Sequence, residues 1–357
     1  MPWRSVGRDD DATRPDCRVI EAGRGVRLLL VLLSIAPVSL LPAQNGSDTT
    51  ATPLPVRGQV IRRDSVTGYR YVRPRLFHAI TDVPMALGAS SREAFRVRHV
   101  PAIVAVVAST AALIAVDEPV LAETRRVARR VGLPQNHPSA NLRVGPFKQP
   151  FPTTIGSGLY FLGDGMTSII LATGFAVRGS LADDTRARRT ASGVVEALLA
   201  SGTVTQVLKH VAGRQTPSEA TVPRGRWRPM PKLSDYNANV PAYDAFPSGH
   251  LASTMATLTV VALNYPEHKF IWPVSSAAMG VLSFTMVNNG VHWASDYPLA
   301  LAIGGVIGNV VVSRGRTLVR MPPSPQMPSV GPAFRDASRL DIKPMIAPGV
   351  VGVRVAW

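Results

Sequence analysis

Three short segments carry residue types that could act together on an anionic group. The first, Phe246-Pro247-Ser248-Gly249-His250, opens an apolar stretch. Pro247 ends the incoming loop, Ser248 can cap a helix, and Gly249 lets a ligand approach the backbone at a helix N-terminus, where free N–H groups and the helix dipole favour an anion. His250 would then stand in the first turn, facing whatever the amides hold. The second is His292-Trp293-Ala294-Ser295-Asp296. Residues at i and i+4 share one face of a helix, so Asp296 can accept the Nδ1–H of His292 and leave Nε2 as a nucleophile. The third, Lys209-His210-Val211-Ala212-Gly213-Arg214-Gln215-Thr216-Pro217, places a point charge at Lys209 and a bidentate fork at Arg214 where a phosphate could bind. Each segment also has an ordinary structural reading: a Pro-Ser helix start with an incidental His, a surface His–Asp ion pair, and a helix stop made of cations, Gly and Pro.

The elements available to position these residues are helical. Six apolar stretches run over Pro101 to Val116, Ile155 to Val177, Ala191 to Leu208, Leu251 to Tyr265, Ile271 to Val287 and Pro298 to Val312, each of helix rather than strand length. They suit short membrane spans and buried core helices equally, since several fall below the ~20 residues that a span needs. The chain of 357 residues is 46% hydrophobic and 17% charged, more apolar than a typical soluble enzyme. Arginines at 178, 186, 188 and 189, and at 314, 316 and 320, mark cytoplasmic sides under the positive-inside rule, which puts the loops after the third and fifth stretches outside.

Towards the N-terminus, Arg24 and Arg27 precede the apolar run Leu28 to Leu41, which ends in Leu41-Pro42-Ala43-Gln44, so residues 1–43 read as a signal peptide or N-terminal anchor. A cleaved signal and six spans give inconsistent topology. The favoured resolution is that Pro101 to Val116 does not span, ahead of an N-terminal run that is no signal or a bundle soluble in the periplasm. Residues 44–100 are polar, Arg-rich and broken by prolines, and read as a linker or irregular arm. The Pro-rich segment 321–357 closes in a strand-like ending at Leu340-Asp341-Ile342 and Gly349 to Trp357. Cys17, the single cysteine, allows neither an intrachain disulfide nor a cysteine metal site. Lys and Arg exceed Asp and Glu by 39 to 23, a net charge of +16 that attracts phosphate-bearing partners in general. No zinc-finger, RNP-type or basic-zipper spacing is present, which argues against nucleic acid.

Taken in order, the three segments resemble the signature of the type 2 phosphatidic acid phosphatase and vanadium haloperoxidase superfamily: Lys, six residues, Arg-Pro; Pro-Ser-Gly-His; then Ser-Arg, five residues, His, three residues, Asp. The resemblance covers about Pro101 to Val312, within a helical domain of 101–320. It implies an all-α bundle of six-helix type, embedded in a membrane, with two histidines around a phosphate. His292 would attack phosphorus, Asp296 would hold it and His250 would protonate the leaving oxygen, while Lys209, Ser248 and the Gly249 amide steady the equatorial oxygens. The scheme needs neither metal nor other cofactor.

Two departures stand out. The family's first arginine falls on Thr216 and its second on Met286, so both expected guanidiniums are missing. Arg214 offers a substitute two residues early, and Arg226, Arg228 and Lys232 follow in the next loop. The expected function is hydrolysis of a lipid phosphate or polyprenyl pyrophosphate at the outer face of an inner membrane, with a soluble periplasmic protein as the alternative placement. The competing readings are a catalytically silent phosphate- or lipid-binding protein and, with least support, vanadate-dependent halide oxidation. Asp164, between Gly163 and Gly165, suits a buried polar site or a helix kink.

Overall fold

The computed structural model describes residues 58–135, 139–144, 147–153, 155–161, 163, 165–321, 341–347 and 350–356. The signal-like run, Cys17 and Asp164 lie outside them. In chain order the elements are β1 (Gln59–Arg62), β2 (Thr67–Tyr71), α1 (Val83–Ala94), α2 (Val100–Arg130), β3 (Ser139–Val144), β4 (Phe147–Pro152), α3 (Ile155–Phe161), α4 (Gly165–Leu181), α5 (Thr185–Ala212), α6 (Leu233–Ala238), α7 (Gly249–Asn264), α8 (Ile271–Asn288), α9 (Tyr297–Gly315), β5 (Arg316–Arg320), β6 (Asp341–Ala347) and β7 (Val350–Ala356). The chain divides into a helical unit over 73–315 and a smaller unit of the flanking segments.

The helical unit bears out the all-α expectation. Its apolar stretches become α2, α4, α5, α7, α8 and α9, with one break: the expected stretch Ile155 to Val177 divides into α3 and α4 around Gly163. Segments Val97–Arg130, Thr185–Ala212, Ile271–Asn288 and Ala294–Gly315 are long and apolar enough to cross a membrane. The first has the highest mean hydropathy of the four, 2.1, and only 6% of its most apolar window is buried. The stretch Pro101 to Val116 thus belongs to a helix that is long and apolar enough to span, with Pro119 and the acids Asp117 and Glu118 inside one continuous 31-residue helix rather than ending it.

Helices α7 and α9 lie unusually close, which sets the distance between the segments Phe246–His250 and His292–Asp296. A Cβ at Gly304 would stand 2.4 Å from the Ala252 carbonyl oxygen, and one at Gly308 2.7 Å from that of Ala256. Small residues at Ala300, Gly304 and Gly308 thus form a groove into which α7 settles. One core cluster gathers Leu251, Met255, Leu282, Met286, Trp293 and Tyr297, and another Val194, Ala197, Ala256, Val260, Ile307 and Val311. Polar cross-ties complete the packing: Thr257 Oγ1 donates to Ser168 Oγ (2.9 Å), and Asn264 Nδ2 to Thr190 Oγ1 (3.1 Å). Arg314 on α9 ion-pairs with buried Glu196 on α5 (3.1 Å) and with Asp82, the residue before α1 (3.7 Å).

In the smaller unit, β2 pairs antiparallel with both β1 and β5. Residues 58–100, expected as an irregular arm, instead carry this hairpin and then α1, because Thr67 to Tyr71 has the β-branched and aromatic content of a strand. The strand-like ending is observed as the antiparallel pair β6 and β7.

Candidate functional site

Each of the three motifs sits at the end of an element, and backbone hydrogen bonds bind the three ends together. Helix α5 delivers Lys209 in its last turn and is closed by Gly213 in the left-handed region (φ 56°), whose N–H donates to the Lys209 carbonyl at 2.8 Å. A Cβ at that position would lie 1.8 Å from the Arg228 carbonyl oxygen, so only glycine fits. The chain then runs antiparallel to Arg226 to Arg228 and parallel to Asp244: Gln215 N–H donates to the Arg226 carbonyl (2.9 Å), and Ala245 N–H to that of Arg214 (3.0 Å). Ser248 caps α7, its Oγ accepting from Leu251 N–H (3.4 Å), while its own N–H donates to the Asp296 carbonyl (3.1 Å). Trp293 Nε1 reaches back to the Gln215 carbonyl (2.9 Å).

His250 and His292 face each other with ring centroids 5.7 Å apart and planes at 70°. His292 is 1% exposed, and its Nδ1 lies 2.8 Å from the Ala245 carbonyl oxygen. A carbonyl only accepts, so Nδ1 carries the hydrogen, and Nε2 presents a lone pair that has no hydrogen-bond partner among the described residues. Burial, followed by the nearby Lys209 charge, pushes its pKa down to about 3, so the ring is neutral at ordinary pH.

The expected role of Asp296 as the acceptor from His292 needs correction. Its Oδ2 stands 3.6 Å from Nδ1, beyond hydrogen-bond length. The helical spacing on which that expectation rests is absent: His292 and Trp293 are extended loop, and Ala294–Asp296 is a single 3-10 turn. The carboxylate curls back instead to accept from Trp293 N–H (2.7 Å) and from Arg214 Nη1 (2.6 Å). It shapes the loop that carries His292, and the Ala245 carbonyl orients the ring.

Arg214, expected to contact phosphate, is fully buried and pointed elsewhere. Its Nη1 donates to Ser295 Oγ and Asp296 Oδ1 (both 2.6 Å), Nη2 to Asp117 Oδ2 (2.8 Å) and to the Arg224 carbonyl (2.9 Å), and Nε to the same carbonyl (3.3 Å). All five N–H donors are thereby spent. Trp227 and Trp293 flank the guanidinium at 4.9 and 5.3 Å from their ring centroids. Asp117 further accepts from Ser295 N–H (3.1 Å) and Ser295 Oγ (2.6 Å). Thr216 bonds Ser218 (2.9 Å) and Met286 lies in the apolar core, so neither signature arginine position supplies a cation.

Lys209 is at the helix N-terminus, as the motif implies: a Cβ at Gly249 would stand 3.5 Å from its Nζ. It is already ion-paired, however, donating to Asp244 Oδ2 at 2.6 Å. Asp244 Oδ1 accepts from the Tyr236 hydroxyl (2.5 Å), which accepts from Gln206 Nε2 (2.8 Å). Burial, then the hydrogen bond to Asp244, raises the Tyr236 pKa and keeps the phenol protonated. Asp117, Asp244 and Tyr236 escape motif reading. An acid inside an apolar helix was the available signal for Asp117; for Asp244 it was an acid four residues before the helix cap. Among the described residues no group of three or more His, Cys, Asp and Glu side chains could hold a metal ion.

Residues 191–320 match the family model of the PAP2 superfamily, so the match takes in all three motifs and leaves α2 with Asp117 outside. No curated protein matches the chain. Among solved structures, the first transmembrane PAP2 type phosphatidylglycerolphosphate phosphatase from Bacillus subtilis is similar, with 14% identity, a TM-score of 0.31, and coverage of 66% of this chain and 94% of that one. The resemblance drawn from the motifs is thus borne out, and it points to phosphatase-type chemistry in the broad sense.

Proposed function

We propose that this protein hydrolyses a lipid phosphate or polyprenyl pyrophosphate through a phosphohistidine at His292. The supporting observation is the state of that ring: Nδ1–H is given to a carbonyl, the ring is neutral, the Nε2 lone pair has no partner among the described residues, and the His250 ring lies 5.7 Å away. Nε2 attacks phosphorus as the bond to the leaving oxygen breaks, and protonated His250 gives that oxygen its proton. Water then attacks the phosphohistidine, His250 takes back a proton, and inorganic phosphate leaves with the Nε2 lone pair restored. Ser248, the Gly249 amide and Lys209 hold the equatorial oxygens at the α7 N-terminus.

Arg189 lies 20 residues before Lys209 on α5, a helical rise of about 30 Å, so the arginines around 178–189 mark the opposite end of the bundle. Positive-inside bias then turns the site outward. The alternative of a silent phosphate binder draws on the missing guanidiniums and on the Lys209–Asp244 pair. Restoring arginine at Met286 would force a guanidinium into closed apolar packing, so it does not separate the readings. Phosphate release from phosphatidic acid, a polyprenyl pyrophosphate and p-nitrophenyl phosphate does. Activity lost in His292→Ala supports the enzyme, and equal background in both proteins refutes it.

A further inference from the structure

We propose that Asp244 selects the charge state of the phosphoryl group that this site accepts, because its carboxylate already holds the Lys209 ammonium for which a phosphate oxygen must compete. The inference rests on the phosphohydrolase reading above. The carboxylate is fixed on both sides, by Lys209 at 2.6 Å and by Tyr236 at 2.5 Å. Tyr236 is held in turn by Gln206, by the stacked Tyr243 ring (6.1 Å) and by the edge of His210 (5.6 Å).

Counting charges around His292, Lys209 and Arg214 stand against Asp117, Asp244 and Asp296, two cations against three carboxylates. Arg214 has no donor left to offer, and Thr216 and Met286 bring no compensating charge. Neither Lys209 nor Arg214 is therefore an uncompensated cation for a phosphoryl dianion, which is left with the amides and dipole of α7 and protonated His250. A singly charged group, such as a phosphodiester or the monoprotonated form of a monoester, meets half the repulsion at the same distance.

The test is calorimetric binding of inorganic phosphate to the full-length protein in detergent at about pH 5.5 and about pH 8, on either side of the second ionisation of a phosphate group. The wild type should lose about tenfold or more in affinity at the higher pH. Asp244→Asn keeps the shape and both contacts, its amide oxygen accepting from Lys209 and its NH2 donating to the Tyr236 oxygen. It should bind at least about tenfold more tightly than wild type at the higher pH. His250, His292, His210 and Tyr236 are common to both proteins, so the difference between the two profiles belongs to Asp244.

Equal or weaker binding by Asp244→Asn at the higher pH would mean that the carboxylate only positions Lys209, and would overturn the inference while leaving the phosphate site standing. A wild type that binds the dianion at least as tightly as the monoanion overturns it without any variant. Absence of binding by both proteins at both pH values refutes the phosphate site itself, and the inference with it.

Discussion

Replacing Arg214 by methionine removes one guanidinium from between two buried carboxylates. Asp117 is 1% exposed and Asp296 fully buried, and Arg214 is the ion-pair partner of both. Breaking a buried pair from one side costs about 3–5 kcal/mol, because the remaining charge stays in low dielectric without its partner. With two carboxylates stranded, the upper end of that range applies. For a bundle of this size each kcal/mol moves the midpoint by about 2–4 °C, so Arg214→Met should melt about 10–20 °C below wild type in a detergent thermal scan. Adding Asp117→Asn removes one of the stranded charges, and the double variant should recover at least about 1 kcal/mol relative to additivity. Arg214→Lys keeps the charge but supplies three donors in place of five, and should fall between the two. A midpoint for Arg214→Met within about 2 °C of wild type would refute the account of this knot as the clamp of the segment His292–Asp296.

Two further outcomes follow from the facing histidines. His250→Ala should slow hydrolysis of an alkyl phosphate by about 10²–10⁴-fold but cost far less with p-nitrophenyl phosphate, whose leaving group departs without a proton; equal losses on both would remove His250 from the acid role. The depressed pKa of His292 links pH to stability. The unfolded chain takes up a proton at this residue as pH falls through about 6.5, whereas the folded chain resists until about 3. The associated stability is intact above the first value and drains away towards the second, amounting to about 2 kcal/mol by pH 5. Denaturant unfolding at about pH 7.5 and about pH 5 should therefore show a smaller acid loss in His292→Gln than in wild type, and equal slopes would contradict the neutral buried ring.

The helices were legible because their apolar runs have helical length, and Ser248 was legible because capping is chemistry between neighbours in sequence. What escaped depends on distant partners. The spacing of His292 and Asp296 suggested a helical face, yet the carboxylate is drawn away by Arg214, 82 residues earlier, and by the adjacent Trp293 N–H. Arg214 itself reads as a spare cation next to a motif, and nothing local to it shows that Asp117, 97 residues upstream, consumes its donors. The arm before α2 escaped for a related reason: β2 gains its second partner only from β5, the segment that follows α9.

The hydrogen bond from the Ser248 amide to the Asp296 carbonyl has a consequence for synthesis as well as for shape. Helix α7 emerges from the ribosome with its capping serine and His250 in place, but its first amide has no acceptor until residues near 296 have been made. His292 gains its orienting carbonyl only by folding back onto Ala245. A growing chain therefore cannot tie the Ser248 cap to the His292 loop, or orient the His292 ring, until the residues that open α9 have been made.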